Sequence, residues 1–367
     1  MKKVIVLKID NYDVELVKAK LKETIFKNFT LDNLFLNQDK ILLKPNLLMA
    51  SHPDEAIVTH PVIVEAVAKI FKERGYKIFI ADCPGGFLAH KELDLIYDKT
   101  GISDVANRLD CKLLYPDRVI LKEDFPFAWW VDGFGIVNLA KLKTHQIMVL
   151  TLATKNLYGC IAGLHKSYLH KEYPKAIDFA KIILKLYKIL NPPLNIVDGI
   201  FALQGKGPAK EGVPKKLGIV VIGNDALYTD YIISELLGLS HLHNPLISIA
   251  KKEGLLNERI EVISEVDKIK DFKFTGQFIV NYFPSPLIFF AKMFFKFYPE
   301  IDIDKCIGCG LCIKSCPKSA IYMYNKKANI EHKNCIMCFC CQEVCKEGAV
   351  YLEEGTLLKI LNRIKGR

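Results

Sequence analysis

Cys306-Ile-Gly-Cys309-Gly-Leu-Cys312-Ile-Lys-Ser-Cys316-Pro317 and, starting 29 residues later, Cys335-Ile-Met-Cys338-Phe-Cys-Cys341-Gln-Glu-Val-Cys345 are two copies of one pattern. Nine of the 12 cysteines fall in this stretch, and eight occupy the slots of the pattern. The C-x2-C-x2-C-x3-C spacing is that of a cubane iron–sulfur site. Three closely spaced thiolates line a tight loop and hold three corners of one cube, and the fourth cysteine of each run ligates the other cluster. The expected ligand sets are therefore Cys306, Cys309, Cys312 and Cys345 for one 4Fe-4S cluster, and Cys316, Cys335, Cys338 and Cys341 for the second. Zinc sites use four ligands in two pairs and disulfides need an oxidising compartment, so neither accounts for two such quartets. Cys340 fits no ligand slot and reads as a small buried filler, with a substitute ligand or a redox thiol as the sharper alternative.

Working outward, residues 299–352 resemble bacterial two-cluster ferredoxins. Pro317 follows the first run as in that family, whereas Lys346 stands at the matching place after the second. Each run is followed by an apolar strand, Ala320–Met323 and Ala349–Leu352, the repeat of a pseudo-twofold ferredoxin fold. Gly355–Arg367 reads as a short basic amphipathic helix, so the last segment is taken as 354–367.

The first 270 residues read as a different kind of domain. Apolar, β-rich runs at Val4–Ile9, Ile41–Leu43, Lys77–Ala81, Gly135–Leu139, Leu194–Val197 and Leu217–Ile222 alternate with amphipathic helical stretches such as Val14–Phe26, Pro61–Arg74 and Ala226–Leu237. That rhythm predicts an α/β fold with a largely parallel sheet and helices on both faces, followed by a small α+β ferredoxin module. Pro61 suits a first helical turn and Gly75 a stop. Between the two lies an aromatic linker at 271–298. In it, Phe283–Phe297 is interrupted by Lys292 and Lys296 and falls short of the roughly 20 apolar residues that span a bilayer. It reads as a docking helix, with an interfacial membrane helix as the alternative.

Composition narrows the function. Half of the 367 residues are hydrophobic (50%), ample for full cores, and the formal charge is +10. Each oxidised cluster with its thiolates would offset about 2 of those charges. The lysines are scattered and form no basic block, which argues against nucleic acid as a partner. The opening MKKVIVLKIDNY reads as a strand rather than a signal peptide, so the expected location is cytoplasmic, where thiolates stay reduced.

Ligands of open α/β sheets sit at the carboxyl ends of strands, and the polar and glycine residues collect there. The strand-end motifs are Lys44-Pro45-Asn46; Asp82-Cys83-Pro84-Gly85-Gly86; Lys141-Leu-Lys143-Thr144-His145; Thr154-Lys155-Asn156-Leu-Tyr158-Gly159; and Asp198-Gly199 leading to Gly205-Lys206-Gly207-Pro208. In this order they resemble the domain-of-unknown-function family 362, over about residues 40–240. The resemblance implies an iron–sulfur-associated protein of unassigned activity. Cys83 departs from the small polar residue more usual there and leaves a free thiol beside the expected site.

From the residues themselves, these strand ends predict a pocket for an anionic small molecule. Glycine turns and helix N-termini expose N–H groups, and Lys44, Lys143, Lys155 and Lys206 supply ammonium groups. Lys143, His145 and Lys155 are the catalytic candidates, His145 because its charge changes near neutral pH. Lys44, Asn46, Asp82, Gly85, Gly86, Asn156, Asp198, Gly205 and Gly207 are the binding candidates. The plainer alternative is that the glycines and Asp198 simply make turns and that His145 is a hydrogen-bonded loop residue. No Walker A loop, no G-x-G-x-x-G and no H-E-x-x-H helix is present. The function expected from the whole chain is a ferredoxin-coupled oxidoreductase that relays single electrons between a redox partner protein and a ligand. The alternatives are a non-enzymatic electron carrier or assembly factor, and a redox sensor.

Overall fold

The computed structural model describes residues 1–85, 90–275 and 297–354. Gly86, the expected docking helix up to residue 296 and the expected C-terminal helix from residue 355 lie outside the described residues.

The strands of the large domain are β1 (Lys2–Lys8), β2 (Lys40–Pro45), β3 (Lys77–Ile80), β4 (Lys112–Leu113), the small hairpin β5 (Val119–Lys122) and β6 (Phe125–Ala128), β7 (Gly135–His145), β8 (Val149–Thr151), β9 (Leu194–Gly205), β10 (Gly212–Gly223) and β11 (Ile260–Ser264). All but β5 and β6 join one nine-stranded sheet in the order β11-β1-β10-β9-β7-β2-β3-β4, with β8 beside β7. The sheet is mostly parallel: β2 with β3 and β7, β3 with β4, β7 with β9, and β1 with β11. The exceptions are β10, antiparallel to both β9 and β1, and the short β8, antiparallel to β7. Only six residues separate β9 from β10, too few for a crossover, so the two must form a hairpin.

Period-two alternation divides the sheet's side chains between two cores. Val4, Val6 and Leu42 enter one, while Ile5, Leu7, Ile41 and Leu43 enter the other. The second core is covered by α1 (Val14–Asn28), α3 (Pro61–Lys72), α4 (His90–Lys99) and α5 (Ile102–Arg108), with the single turn α2 (Leu31–Leu34) at its rim. The first is covered by α6 (Ala153–Asn156), α7 (His165–Glu172), α8 (Ala176–Leu190), α9 (Ala226–Leu236) and α10 (Pro245–Lys252).

Two strands are longer than the sequence suggests. β7 runs past Leu139 to His145, and β9 runs past Val197 to Gly205. Lys141, Lys143 and Asp198 therefore lie within strands rather than beyond their ends. Polar residues that would normally mark a loop are satisfied by one another here, so the ladder continues through them.

Residues 297–354 form the small module. β12 (Phe297–Ile301) pairs with β15 (Val350–Glu354), β13 (Ile321–Tyr324) pairs with β14 (Lys327–Ile330), and the short helices α11 (Leu311–Ser315) and α12 (Cys340–Val344) carry the ends of the two cysteine runs. Glu354 belongs to β15 rather than to a terminal helix.

Asp225 locks the end of β10 to the helices. It caps α9 through the amides of Leu227 (2.9 Å) and Tyr228 (3.1 Å), pairs with Lys2 (2.7 Å) and accepts the buried Tyr187 hydroxyl (2.7 Å). Asp225→Ala removes a cap worth about 1 kcal/mol and strands a buried hydroxyl at about 1–3 kcal/mol. A loss of roughly 2–4 kcal/mol is expected, read as a lower urea midpoint.

Candidate functional site at the interface of sheet and ferredoxin module

The carboxyl edge of the sheet is a buried polar floor. Lys44, at the end of β2, is fully buried and pairs with Asp82 at 2.7 Å, and the other oxygen of Asp82 accepts the Leu47 amide at 2.7 Å. Gly159 makes room for this pair: a Cβ there would lie 2.3 Å from Asp82 Oδ1 and 2.5 Å from Lys44 Nζ. Beside it runs a directional chain of side chains. Lys143 Nζ donates to Asn46 Oδ1 (2.7 Å), Asn46 Nδ2 to Asn156 Oδ1 (2.9 Å), Asn156 Nδ2 to Asn138 Oδ1 (2.8 Å), and Asn138 Nδ2 to Asn195 Oδ1 (2.8 Å). Every amide in the chain both gives and takes, so burial leaves none of them unpaired.

Lys143 has no carboxylate partner. Its ammonium meets Asn46 Oδ1 and the Ile57 carbonyl, both at 2.7 Å. Burial disfavours the charged form and brings its pKa down to about 7. His145 is different. Its Nδ1 accepts the amides of Ile147 (3.1 Å) and Met148 (3.2 Å), which leaves the proton on Nε2. Burial then holds the ring neutral, with its pKa lowered to about 4. Nε2 faces Glu343 Oε1 at 3.3 Å, a contact looser than a good hydrogen bond.

Glu343 belongs to the second cysteine run, so the module sits directly on the sheet edge. The hairpin between β9 and β10 grips it. Glu211 accepts from Gln342 Nε2 (2.8 Å) and the Leu352 amide (2.7 Å), and Lys206 donates to the Leu352 carbonyl (3.3 Å). Phe339 and Leu352 pack together with Ile147 and Met337. Gly207 lies against Thr144, where a Cβ would come within 2.5 Å of the hydroxyl, and its carbonyl accepts from Gln146 at 2.7 Å.

Between floor and module lies a cavity of about 60 Å³. The sheet side supplies Asn46, Asp82, Cys83, Gly85, Lys155, Asn156, Tyr158, Lys166, Ser167 and His170, and the module supplies Ser315, Cys340, Glu343 and Val344. Of the sequence-predicted residues, Asn46, Asp82, Gly85, Lys155 and Asn156 thus line one cavity, and Lys44, Lys143 and His145 stand immediately behind it. Asp198, Gly205 and Gly207 do not. Asp198 is paired with Lys141 at 2.8 Å and accepts the hydroxyl of Tyr12, whose ring stacks on His60, in a separate buried cluster. Gly205 and Gly207 belong to the hairpin that holds the module. Sequence reasoning missed Lys166, Ser167, His170 and Glu343. Nothing in their local sequence marks them, because the site forms only when α7 and α12 come together over the sheet.

The two thiol quartets assemble across the runs. Cys312 is pushed up to about 11 by burial, then by its neighbours Cys345 and Cys309, with Cys306 adding to them. Cys335 is raised by burial and feels Cys338 and Cys316. The first quartet surrounds a cavity of about 150 Å³, and the second lines a smaller one. Among the described residues no three His, Cys, Asp or Glu close around a single metal ion; the thiols encircle volumes rather than converge on points. Backbone amides reach four of the sulfurs, Ala320 to Cys316 and Ala349 to Cys345 at 3.2 Å, Met337 to Cys335 at 3.4 Å and Ala328 to Cys306 at 3.5 Å. Thiols so crowded are hard to deprotonate together unless a positive centre takes them, and this donor set fits the ligand shell of a 4Fe-4S cluster.

Fold and site together define an iron–sulfur electron-transfer protein with an α/β domain. Residues 298–346 match the 4Fe-4S dicluster domain, and residues 41–235, more than half of the chain, match the domain of unknown function DUF362. The chain belongs to that family. It is also 28% identical over 269 residues to a thylakoid-associated protein of Synechocystis sp., covering 70% of this chain and 80% of the relative. No solved structure matches. No helix among the described residues is long and apolar enough to cross a membrane.

Two outcomes test this geometry. Glu211→Ala removes a charged acceptor worth about 1.5–3 kcal/mol, so hydrogen exchange at the Leu352 amide should quicken roughly 10- to 100-fold with the sheet's circular dichroism unchanged. The second concerns pH. Folded Lys143 sheds its proton near pH 7, while the unfolded chain keeps it to about 10.5. Over that window the unfolded state binds more protons, so the group's contribution to stability rises with pH. Lys143→Met should flatten that rise in urea midpoints measured from pH 7 to 10.

Proposed function

We propose that this chain is a ferredoxin-coupled oxidoreductase. Cys306, Cys309, Cys312 and Cys345 hold one 4Fe-4S cluster, Cys316, Cys335, Cys338 and Cys341 hold a second, and single electrons pass between an external carrier protein and a ligand in the interface cavity. Such clusters supply one-electron chemistry at potentials set by hydrogen bonds and exposure. The observation that carries the reading is that the second cysteine run forms part of the cavity itself: Cys340 and Glu343 line it opposite Lys155, Asn46 and Asp82.

The chain's own residues have distinct parts in this reading. Lys155 and Asn156 hold the ligand. Lys143, with a pKa near neutrality, stores or releases a proton behind Asn46. His145 keeps its proton on Nε2 and steadies Glu343 in the wall. Cys340 contributes a buried thiol to the cavity wall. The outer quartet receives the carrier, because Cys309 is exposed and Ile307 beside it is 67% exposed. A cytoplasmic or otherwise reducing location goes with this reading, since the eight ligand cysteines must be reduced to take up their clusters.

Anaerobically prepared protein should contain about eight irons per chain. Cys306→Ala/Cys345→Ala should keep about four, because both changes strike one cluster. Cys335→Ala/Cys345→Ala should keep almost none. The opposite ranking would sink the crossed ligand assignment. A full iron complement without any ligand binding in the cavity would favour the non-enzymatic carrier.

A further inference from the structure

We propose that the interface cavity binds a compact oxyanion, such as a carboxylate, bicarbonate or phosphate, with Lys155 as its principal partner. The inference rests on the reading of this cavity as the ligand site and names the chemistry of that ligand.

Size favours a compact ligand. At roughly 10–15 Å³ per water-sized position, a cavity of about 60 Å³ holds a handful of atoms.

Charge sets the class. Among the described residues four lysines, Lys44, Lys143, Lys155 and Lys166, stand in or directly behind the wall, against two carboxylates, Asp82 and Glu343. Lys44 is satisfied by Asp82 at 2.7 Å. Lys166 is held by the carbonyls of Cys83 and Pro84, and Lys143 by Asn46 and Ile57, so both meet only neutral oxygens. The Glu343 carboxylate lies against His145. Lys155 remains. Among the described residues its ammonium has no hydrogen-bond acceptor and lies 5.7 Å over the Tyr158 ring. A half-buried cation whose nearest opposite charge, Glu343, makes no hydrogen bond to it favours either loss of its proton or an added anion; burial lowers its pKa and Glu343 acts against that.

A second, independent feature points the same way. Lys166 and Ser167, in the first turn of α7, line the cavity, and this helix has no side-chain cap at its N-terminus. The dipole and the exposed first-turn amides of a helix N-terminus favour an anion. The ammonium of Lys155 and the start of α7 thus present positive potential to one small space, and Ser167 adds a hydroxyl donor.

The test uses the full-length, iron-loaded chain under anaerobic conditions. Acetate, bicarbonate and phosphate are titrated calorimetrically, with chloride at matched ionic strength as the control. At least one should bind saturably where chloride does not, and which one binds distinguishes carboxylate, carbonate and phosphoryl chemistry. Lys155→Met should weaken that binding by about tenfold or more, the loss of one charge-assisted hydrogen bond, whereas Lys155→Arg should retain most of it. Iron content of each variant shows that the module is intact. The inference is overturned if none of the three anions binds saturably, or if Lys155→Met with full iron binds as tightly as the unaltered chain. Full iron and normal reducibility alongside such a result would leave the electron-relay reading standing. Deficient iron with intact, Lys155-dependent anion binding would do the reverse.

Discussion

Burying lysine ammonium groups at the carboxyl edge of the sheet is the constraint on which the rest of this structure depends. Moving such an ion out of water costs several kcal/mol even after relaxation. Lys44 and Lys141 offset that cost with carboxylates at 2.7 and 2.8 Å. Lys143 has only neutral oxygens and consequently sits near its point of deprotonation. The surrounding choices follow from keeping these groups satisfied. Gly159 has no Cβ because the Lys44–Asp82 pair occupies that space, and the run from Asn46 to Asn195 is a file of amides because each must donate as well as accept.

A floor of this kind cannot be left to an apolar neighbour. The module that covers it brings matching chemistry: Glu343 toward His145, and Gln342 and the Leu352 amide toward Glu211. Its apolar anchorage includes Phe339 and Leu352 with Met337 and Ile147. A joint that mixes apolar contacts with several polar ones resembles an interface between domains more than a domain core.

The sequence disclosed the parts of this arrangement that depend on local spacing. The cysteine quartets could be read because cluster geometry dictates the intervals between ligands. The strand-end lysines and Asn46, Asp82 and Asn156 could be read because polar residues after β-rich runs are conspicuous. Strand lengths could not: Lys141, Lys143 and Asp198 look like loop residues unless their partners, 57 positions apart in the case of Lys141 and Asp198, are known. The role of Gly205-Lys206-Gly207-Pro208 was hidden for a related reason. A glycine-rich turn that binds an anion and one that grips a neighbouring module are alike in sequence, and only the contact between Lys206 and Leu352 tells them apart. Glu343 was hidden between two cysteines whose spacing explains everything except the residue between them.

The two cysteine runs, alike in spacing, differ in backbone chemistry in a way that follows from where they sit. Each run needs left-handed residues two and four places after its first cysteine. The first run fills these with Gly308 (φ +70°) and Gly310 (φ +75°), at little cost. The second uses Met337 (φ 54°) and Phe339 (φ 60°), a choice that costs about 1–2 kcal/mol per residue. Phe339 is almost fully buried against Leu352, with Met337 and Ile147 beside it. Glycine would relieve the strain and remove those side chains from the joint, so the apolar anchorage of the module has been obtained at the expense of the loop. In the first run Gly308 lies against the Lys326 carbonyl, which leaves no room for a Cβ, so glycine is kept there. The sequence difference between two otherwise matching loops therefore follows their surroundings, a backbone carbonyl against Gly308 and an apolar joint around Phe339.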